Sequence, residues 1–379
     1  MEIYVVKPGD TVNAIANLYG VSQGTLIYDN QLIPPYQLAV GQALLVNTGA
    51  AQKNMTIKSN GYAYPFISNW VLNNTLPFLS ELSIFSYGFT TTGELIPPLI
   101  NEDFMIAAAV DTNALPILTL TPFGANGNFD NTLINAIVND PVGRENLINN
   151  LLVVMQEKRY RGLDIDFEFI KAEDRDAFTE FVRVCTERMN QQGYQVSVAL
   201  APKTSAMQRG LLYEGKDYRA IGEVANHVLI MTYEWGYTYG PPMAVAPLNM
   251  VRNVIEYAVT EIEPAKISMG IPNYGYDWAL PYERGVTRAT TIGNVEAVRI
   301  AVQQGAEIKY DEVAQTPYFN YDMDGTTHEV WFEDVRSLQQ KFNLIKEFGL
   351  RGPGYWQIMQ LFRANWLLLN DNFFIEKEG

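Results

Sequence analysis

The sequence is poor in the residues that build covalent and metal cross-links: 379 residues contain one cysteine, Cys185, and two histidines, His227 and His328. A lone cysteine excludes an intrachain disulfide, and two distant histidines argue against a histidine-based zinc site. No stretch approaches the ~18 uninterrupted apolar residues of a membrane-spanning helix. The first ten residues also lack the basic start and apolar core of a signal peptide. We therefore expect no metal, no cofactor, no membrane association and no standard secretion signal.

Basic residues are also scarce, since 27 Lys and Arg stand against 42 Asp and Glu, giving a net charge of −15. This balance argues against nucleic acid or an anionic membrane as the main partner. Apolar residues make up 47% of the chain, so a large core is feasible, and the length suits one large barrel plus a small module. The aromatic content of 12% fits either a large core or stacking on sugar rings.

The first 47 residues predict a small βααβ unit. Its elements are a strand over 3–6, helices over 14–19 and 22–28, and a closing strand over 42–46. Asp10 or Thr11 is placed to cap the first helix, and Gly20 is placed to end it. Residues 48–58 are mostly small or polar and predict a linker to a second domain over 59–379.

This unit resembles the LysM module in its Tyr-x-Val-x-x-Gly-Asp-Thr start, its Asp-Asn at the second turn and its Val-Gly-Gln before the last strand. The resemblance implies binding of N-acetylglucosamine chains, in chitin or peptidoglycan, through two loops. The expected glycan-binding residues are Gly9, Asp10, Thr11, Asn30, Leu32 and Ile33. Because only one copy is visible, we expect modest affinity without avidity.

From residue 59 onward, short apolar runs alternate with helical patterns, which predicts βαβ units and a parallel sheet. Residues 104–110 are apolar but lie too close to Pro116 for a parallel crossover of ~10–12 residues, so 101–111 is predicted to be a helix. The eight predicted strands span 61–66, 82–89, 116–121, 162–168, 195–201, 227–233, 266–272 and 354–358. The predicted fold is therefore an α/β (β/α)8 TIM barrel. An α+β insertion over about 279–351, with a hairpin over 318–331, is predicted between strands seven and eight.

The fourth predicted strand carries acids at alternate positions, Asp164, Asp166 and Glu168. Side chains alternate along a strand, so the three carboxyls share one face while the apolar residues between them face the outer helices. Burying three acids is unfavourable, and their mutual repulsion raises the pKa of at least one. Catalysis explains this column better than a structural network or a bound cation.

The same strand resembles the Asp-Gly-x-Asp-x-Asp-x-Glu motif of glycoside hydrolase family 18. The resemblance implies that Glu168 is the general acid/base, that Asp166 holds the substrate's acetamido N–H, and that Asp164 supports Asp166. It also implies that the substrate's own N-acetyl carbonyl is the nucleophile, giving an oxazolinium intermediate and retention. Tyr233, after predicted strand six, matches the tyrosine that donates a hydrogen bond to the acetamido carbonyl.

Further resemblance to this family assigns Trp356 to the floor of the subsite that holds the distorted sugar. Two positions depart from the family pattern. Arg161 stands where the motif has its first Asp, outside the barrel mouth, and little catalytic effect is expected. Glu234 replaces the usual Asp and is expected to line the substrate subsite with altered geometry. Further expected pocket walls are Tyr87, Asn273, Tyr274 and Trp278.

The combination of a LysM module with this barrel resembles the spore peptidoglycan hydrolases of endospore-forming bacteria, a group of cortical-fragment-lytic N-acetylglucosaminidases. It implies a retaining β-N-acetylglucosaminidase acting on cortex peptidoglycan during germination. We also expect the protein to be a monomer. Such enzymes reside in the spore coat or cortex and are made in the mother-cell cytoplasm without a signal peptide. Two alternatives stay open: a chitinase or chitooligosaccharide hydrolase, and a non-catalytic glycan-binding spore-coat protein. The presence of Glu168, Asp166 and Tyr233 favours an enzyme.

Overall fold

The structure is a computed structural model that describes residues 1–49, 53–124 and 127–378. Within these ranges no helix is both long and apolar enough to cross a membrane. The strands are β1 (Glu2–Val5), β2 (Ala43–Val46), β3 (Thr56–Ile57), β4 (Asn60–Ala63), β5 (Glu81–Phe89), β6 (Leu95–Ile96), β7 (Leu115–Leu120), β8 (Gly162–Ile165), β9 (Gln195–Leu200), β10 (His227–Ile230), β11 (Ile267–Pro272), β12 (Gly275–Ala279), β13 (Thr290–Ile292), β14 (Lys309–Asp311), β15 (Thr316–Met323), β16 (Thr326–Trp331), β17 (Gly352–Trp356) and β18 (Phe374–Ile375). The α-helices are α1 (Val12–Tyr19), α2 (Gln23–Asp29), α3 (Asn69–Thr75), α4 (Asp103–Asp111), α5 (Thr132–Asn139), α6 (Pro141–Lys158), α7 (Arg175–Asn190), α8 (Tyr218–Val224), α9 (Leu248–Glu261), α10 (Asn294–Gln304), α11 (Val335–Phe348) and α12 (Arg363–Asn372).

Eight parallel strands close into a barrel, in the order β4, β5, β7, β8, β9, β10, β11 and β17, with β17 pairing back onto β4. The predicted (β/α)8 fold is thereby confirmed. The predicted fourth strand is shorter than expected, because its ladder with β9 ends at Ile165. Beyond that point the Asp166 amide still donates to the Leu120 carbonyl at 3.0 Å.

The two faces of β8 and its extension divide as the alternation predicts. Leu163, Ile165 and Phe167 are buried on the outside of the barrel. Phe167 packs on Phe178 and Phe181 of α7, with ring centroids 6.0 and 5.6 Å apart. This aromatic packing holds the apolar face outward, so the carboxyls between these residues face the barrel interior. Cys185, on the same helix, is also buried.

A five-stranded sheet interrupts the barrel after β11, with strand order β13-β12-β16-β15-β14. Its hairpin, β15 to β16, turns at Asp324 and Gly325, and Gly325 has φ +77°. The predicted insertion over about 279–351 differs from the observed one in two ways. The sheet starts earlier, at Gly275, and α11 packs against α9 and β17 as part of the outer helical ring.

The N-terminal module has the predicted βααβ order, and its two strands pair antiparallel. Thr11, rather than Asp10, caps α1, because its hydroxyl accepts from the Ala14 amide at 3.1 Å. In the predicted 48–58 linker, residues 50–52 lie outside the described residues. The end of that segment forms β3, which pairs with β18 near the C-terminus.

The module is fixed to the catalytic domain by hydrogen bonds and one close backbone approach. Gly41 has φ +81°, and a Cβ there would lie 1.8 Å from the Ile308 carbonyl oxygen. The Ile308 amide donates to the Val40 carbonyl, and the Arg336 guanidinium donates to the Gly41 carbonyl at 3.1 Å. On the opposite side, the Arg363 amide donates to the Gln31 side chain at 2.7 Å. These contacts hold the module against the insertion and the last helices of the barrel.

Candidate active site

The three predicted acids follow one another toward the C-terminal mouth of the barrel, where barrel enzymes place their active sites. Asp164 is 0% exposed, Asp166 is 6% exposed and Glu168 is half-buried. Asp166 and Glu168 line a cavity of about 380 Å³ at this mouth. The other lining residues are Tyr62, Ala199, Ala201, Pro202, Leu212, Tyr213, Leu229, Met231, Tyr233, Glu234, Trp235 and Trp356.

Asp164 lies below the cavity and is held by two hydroxyl groups. Tyr62 Oη donates to Asp164 Oδ2 at 2.9 Å, and Ser197 Oγ donates to Oδ1 at 2.6 Å. Burial raises the pKa of Asp164 to about 6, against the lowering effect of these two hydrogen bonds. Asp164 is therefore enclosed by protein and does not line the cavity.

Asp166 lies between two other acids in a buried position. Burial raises its pKa well above the usual range, and the charges of Glu168 and Asp164 raise it further. The buried ammonium of Lys216 acts in the opposite direction on the pKa of Asp166. In the described part of the chain, neither Asp166 Oδ1 nor Lys216 Nζ has a hydrogen-bond partner. Asp166 Oδ1 therefore keeps its capacity to accept a hydrogen bond.

Tyr233 is buried on the opposite wall and lies close to β11. A Cβ at Gly270 would lie 2.7 Å from the Tyr233 ring, so glycine at that position leaves room for the tyrosine. Burial, followed by the charges of Asp166 and Glu168, raises the pKa of Tyr233 well above 10. The hydroxyl therefore stays protonated and is available as a hydrogen-bond donor.

Glu234, the departure from the family pattern, is positioned by two tyrosines. Its backbone has φ +68°, an uncommon conformation for a residue with a side chain. Tyr274 Oη donates to Glu234 Oε1, and Tyr276 Oη donates to the same oxygen at 2.9 Å. Burial raises the pKa of Glu234, and the hydrogen bonds from both tyrosines lower it. Burial has the larger effect, so the pKa is raised overall. The carboxyl is thus fixed at the cavity wall.

Aromatic rings surround Trp356, which lies at the end of β17 beside the cavity. Its ring lies 5.7 Å from Tyr62, 6.0 Å from Tyr64 and 5.1 Å from Phe85, centroid to centroid. All three contacts are edge-to-face, the geometry that aromatic quadrupoles favour. The Trp356–Gln357 peptide is cis. The packing fixes the indole at the cavity, where one face suits stacking on a sugar ring.

Four residues predicted to form pocket walls do not line this cavity, and the side chain of each makes a hydrogen bond elsewhere in the protein. Tyr87 Oη donates to Glu102 at 2.6 Å on the outer side of the barrel. Asn273 Nδ2 donates to the Gln357 and Gln360 carbonyls, bracing the loop that follows Trp356. Trp278 is fully buried, and its indole N–H donates to the Gly240 carbonyl at 2.8 Å. Tyr274 acts through Glu234, as described above.

The six module residues predicted to bind glycan do not line a single cavity. Asn30, Leu32 and Ile33 line one cavity against the catalytic domain, and Asp10 and Thr11 line another. Gly9 is exposed and lines neither. The Asn30 side chain is used internally, donating to the Leu26 and Leu45 carbonyls and accepting from the Leu45 amide. Its amide therefore holds the module together.

Two prominent features of the site were absent from the sequence prediction. Tyr62 faces Asp164 from a strand whose apolar pattern gave no sign of a polar contact. Lys216 lies in the long loop between β9 and α8, which has no periodic pattern from which its direction could be read. The described residues contain no group of three or more His, Cys, Asp or Glu side chains placed to hold a metal ion. The arrangement of carboxyls and a tyrosine hydroxyl at one cavity suits acid–base chemistry.

Comparison with known proteins adds two family matches. Residues 119–360 match the family Glycosyl hydrolases family 18, and residues 4–47 match the LysM domain. The family 18 match contains the three acids, Tyr233 and Trp356.

Full-length relatives share both parts of the chain. The chain is 38% identical to a cortical fragment-lytic enzyme of Bacillus subtilis, covering 100% of this chain and 99% of the relative. It is similar in structure to the Bacillus cereus spore cortex-lytic enzyme SleL, with TM-score 0.95, 35% identity and coverage of 100% and 99%. A chitinase from Chromobacterium violaceum shares the fold alone, with TM-score 0.77 and 24% identity over 83% of this chain and 98% of the chitinase.

Proposed function

Because the chain belongs to glycosyl hydrolases family 18, we propose that it is a retaining, substrate-assisted β-N-acetylglucosaminidase that hydrolyses spore cortex peptidoglycan. The observation that carries this proposal is the convergence of Asp166, Glu168 and Tyr233 on one cavity beside Trp356. The cavity offers a proton donor, an acceptor for an N–H, a hydroxyl donor and an aromatic face. An N-acetylated sugar uses all four.

In the first step, Glu168 donates its proton to the glycosidic oxygen while the substrate's acetamido oxygen attacks the anomeric carbon. The bond to the leaving sugar breaks, and an oxazolinium ring forms. Asp166 Oδ1 accepts from the acetamido N–H, and Tyr233 donates to the acetamido oxygen. Water then attacks the anomeric carbon and breaks its bond to the acetamido oxygen, which restores the acetamido group, while Glu168 takes the proton of the water. The two successive inversions leave the configuration retained.

The electrostatics of the acids support these roles. Burial and the charge of Glu168 raise the pKa of Asp166 well above its usual range. Asp166 therefore keeps its proton to a higher pH than an ordinary aspartate does. The buried ammonium of Lys216 acts against this shift, because its positive charge lowers the pKa of Asp166.

The substrate assignment rests on the full-length relatives and the module. The two full-length relatives are named for lysis of cortical fragments and of spore cortex, and both come from Bacillus species. A LysM domain beside a glycosidase supports attachment to the same polymer that is cleaved. We therefore propose that the enzyme acts at the spore on N-acetylglucosamine linkages of the cortex. We further propose that it is a monomer.

The test is product analysis by mass spectrometry after parallel digestion of spore cortex, vegetative cell wall and chitin. Muropeptides with reducing-end N-acetylglucosamine from cortex are expected, and Glu168→Gln should release none. Chitobiose from chitin, with no product from cortex, would reassign the enzyme as a chitinase. Absence of product from all three polymers would contradict hydrolysis altogether.

A further inference from the structure

The loop that follows β10 leaves the barrel at its C-terminal mouth and is tied to a segment of the insertion, residues 280–289. Glu234, which lines the catalytic cavity, accepts from Tyr276 Oη at 2.9 Å, and the Thr238 side chain hydrogen-bonds to the same hydroxyl. The Thr238 carbonyl accepts in turn from the Ala289 amide at 2.8 Å. A chain of three hydrogen bonds therefore connects the cavity wall to Ala289.

Arg288, which precedes Ala289, stacks on an aromatic ring of the loop after β10. Its guanidinium carbon lies 5.7 Å from the ring centroid of Tyr239. The backbone of Tyr239 is held in place, because its carbonyl accepts from Tyr282 Oη at 2.9 Å. A guanidinium whose face packs on a ring keeps its N–H edge free for a planar acceptor. Arg288 is exposed, so a ligand at the mouth can reach that edge.

Three other arginines in the described part of the chain stack on aromatic rings, and each of these also pairs with an acidic side chain. The pairs are Arg252 with Glu347, Arg336 with Asp334 and Arg363 with Asp29. Arg288 forms no ion pair and no side-chain hydrogen bond with any residue that the structure describes. Its stacked guanidinium therefore lacks only the acidic partner that the other three possess.

The charges near Arg288 suit a carboxylate that the substrate brings with it. In the same segment the charges of Glu283 and Arg284 cancel, so Arg288 supplies the net positive charge. The cavity is lined by three acidic residues, and the whole chain has a net charge of −15. An anionic group beside the cavity is repelled by these acids unless a cation offsets them. A guanidinium is suited to this task, because it binds a carboxylate through two parallel hydrogen bonds.

Peptidoglycan carries such carboxylates, whereas chitin does not. In peptidoglycan, N-acetylglucosamine alternates with muramic acid, whose lactyl carboxyl group is either free or extended by a peptide that itself ends in a carboxylate. We propose that Arg288 binds a carboxylate on the muramyl unit next to the sugar in the catalytic cavity, and that this contact favours peptidoglycan over chitin. The inference rests on the proposed function, because it requires hydrolysis at that cavity.

The test compares kcat/KM of the full-length wild type and Arg288→Gln on three substrates. These are a tetrasaccharide muropeptide, the same muropeptide with its carboxylates converted to methylamides, and the N-acetylglucosamine tetramer. On the native muropeptide the variant should be about five- to tenfold slower, mainly through KM, because the contact forms before and during the reaction alike. On the two uncharged substrates it should equal the wild type. Arg161→Gln, at an exposed position at the opposite end of the barrel, is the control and should match the wild type on all three.

The outcomes separate this inference from the proposed function. Hydrolysis of both muropeptide forms with no effect of Arg288→Gln would overturn the inference alone, and so would equal slowing on all three substrates, which indicates a structural role. If the wild type hydrolyses none of the three, the proposed function and the inference fail together. Repeating the comparison after an amidase has removed the peptide identifies the carboxylate. A persisting effect of Arg288→Gln assigns it to the lactyl group, and a lost effect assigns it to the peptide.

Discussion

Replacing Asp164 with asparagine isolates the effect of burying a carboxyl beneath the catalytic acids. A pKa of about 6 against an ordinary value of 3.8 corresponds to about 3 kcal/mol, at ~1.36 kcal/mol per pH unit. Between about pH 4 and pH 6, the folded chain keeps a proton on Asp164 that the unfolded chain has lost. The Asp164 contribution to the free energy of unfolding therefore falls as pH rises through this window and is constant above it.

Asparagine at this position does not titrate, and the Tyr62 and Ser197 hydroxyls can each accept as well as donate, so both contacts can persist. We expect the free energy of unfolding of Asp164→Asn, minus that of the wild type, to rise by about 3 kcal/mol between pH 4 and pH 7. Urea unfolding at several pH values measures this difference. Asp176→Asn, at a side chain that is 90% exposed, is the control and should show no comparable rise. A difference that is constant, or that falls with pH, would refute a raised pKa at Asp164.

Two further variants test the electrostatics of the site through kinetics. Lys216→Met removes the charge that lowers the pKa of Asp166, so the pH profile of kcat/KM should move to higher pH; a lower rate with an unmoved profile would indicate a purely structural role. Tyr233→Phe removes the hydroxyl donor and should lower kcat by about 10²–10³-fold with a smaller change in KM, as for loss of one oxyanion-type donor. An increase in KM alone would place Tyr233 in ground-state binding instead.

Local patterns predicted the barrel well because each strand is an apolar run bounded by turns. The carboxylate column followed from alternation along one strand, and Phe167 packing on α7 shows the physical basis of that alternation. Tyr87 shows where such reasoning fails. Alternation places it on the same face as Phe85, which packs against Trp356. The pairing of β5 with β7 shifts register between Ile84 and Tyr87, and one extra residue turns Tyr87 to the outside.

Other parts of the structure depend on contacts between segments that are distant in the sequence, so no local sequence pattern predicts them. Lys216 lies near Asp166 in a loop without periodicity, and Trp278 is buried with its indole N–H donating to Gly240, in the distant loop after β10. Asn30 lies in a motif typical of glycan binding, yet its amide bonds to the module's own backbone. A cavity between the module loop after α2 and the start of α10 is lined by both parts of the chain, so no single segment predicts it.

The most direct test of the central claim is the turnover of Glu168→Gln on a soluble N-acetylglucosamine oligosaccharide. Glutamine preserves the shape of the side chain but cannot donate or take the catalytic proton. We expect kcat to fall by at least about 10²–10⁴-fold, while the affinity of the catalytic cavity for the oligosaccharide stays within a few-fold of the wild type. A kcat within tenfold of the wild type would contradict the role of Glu168 as the general acid/base.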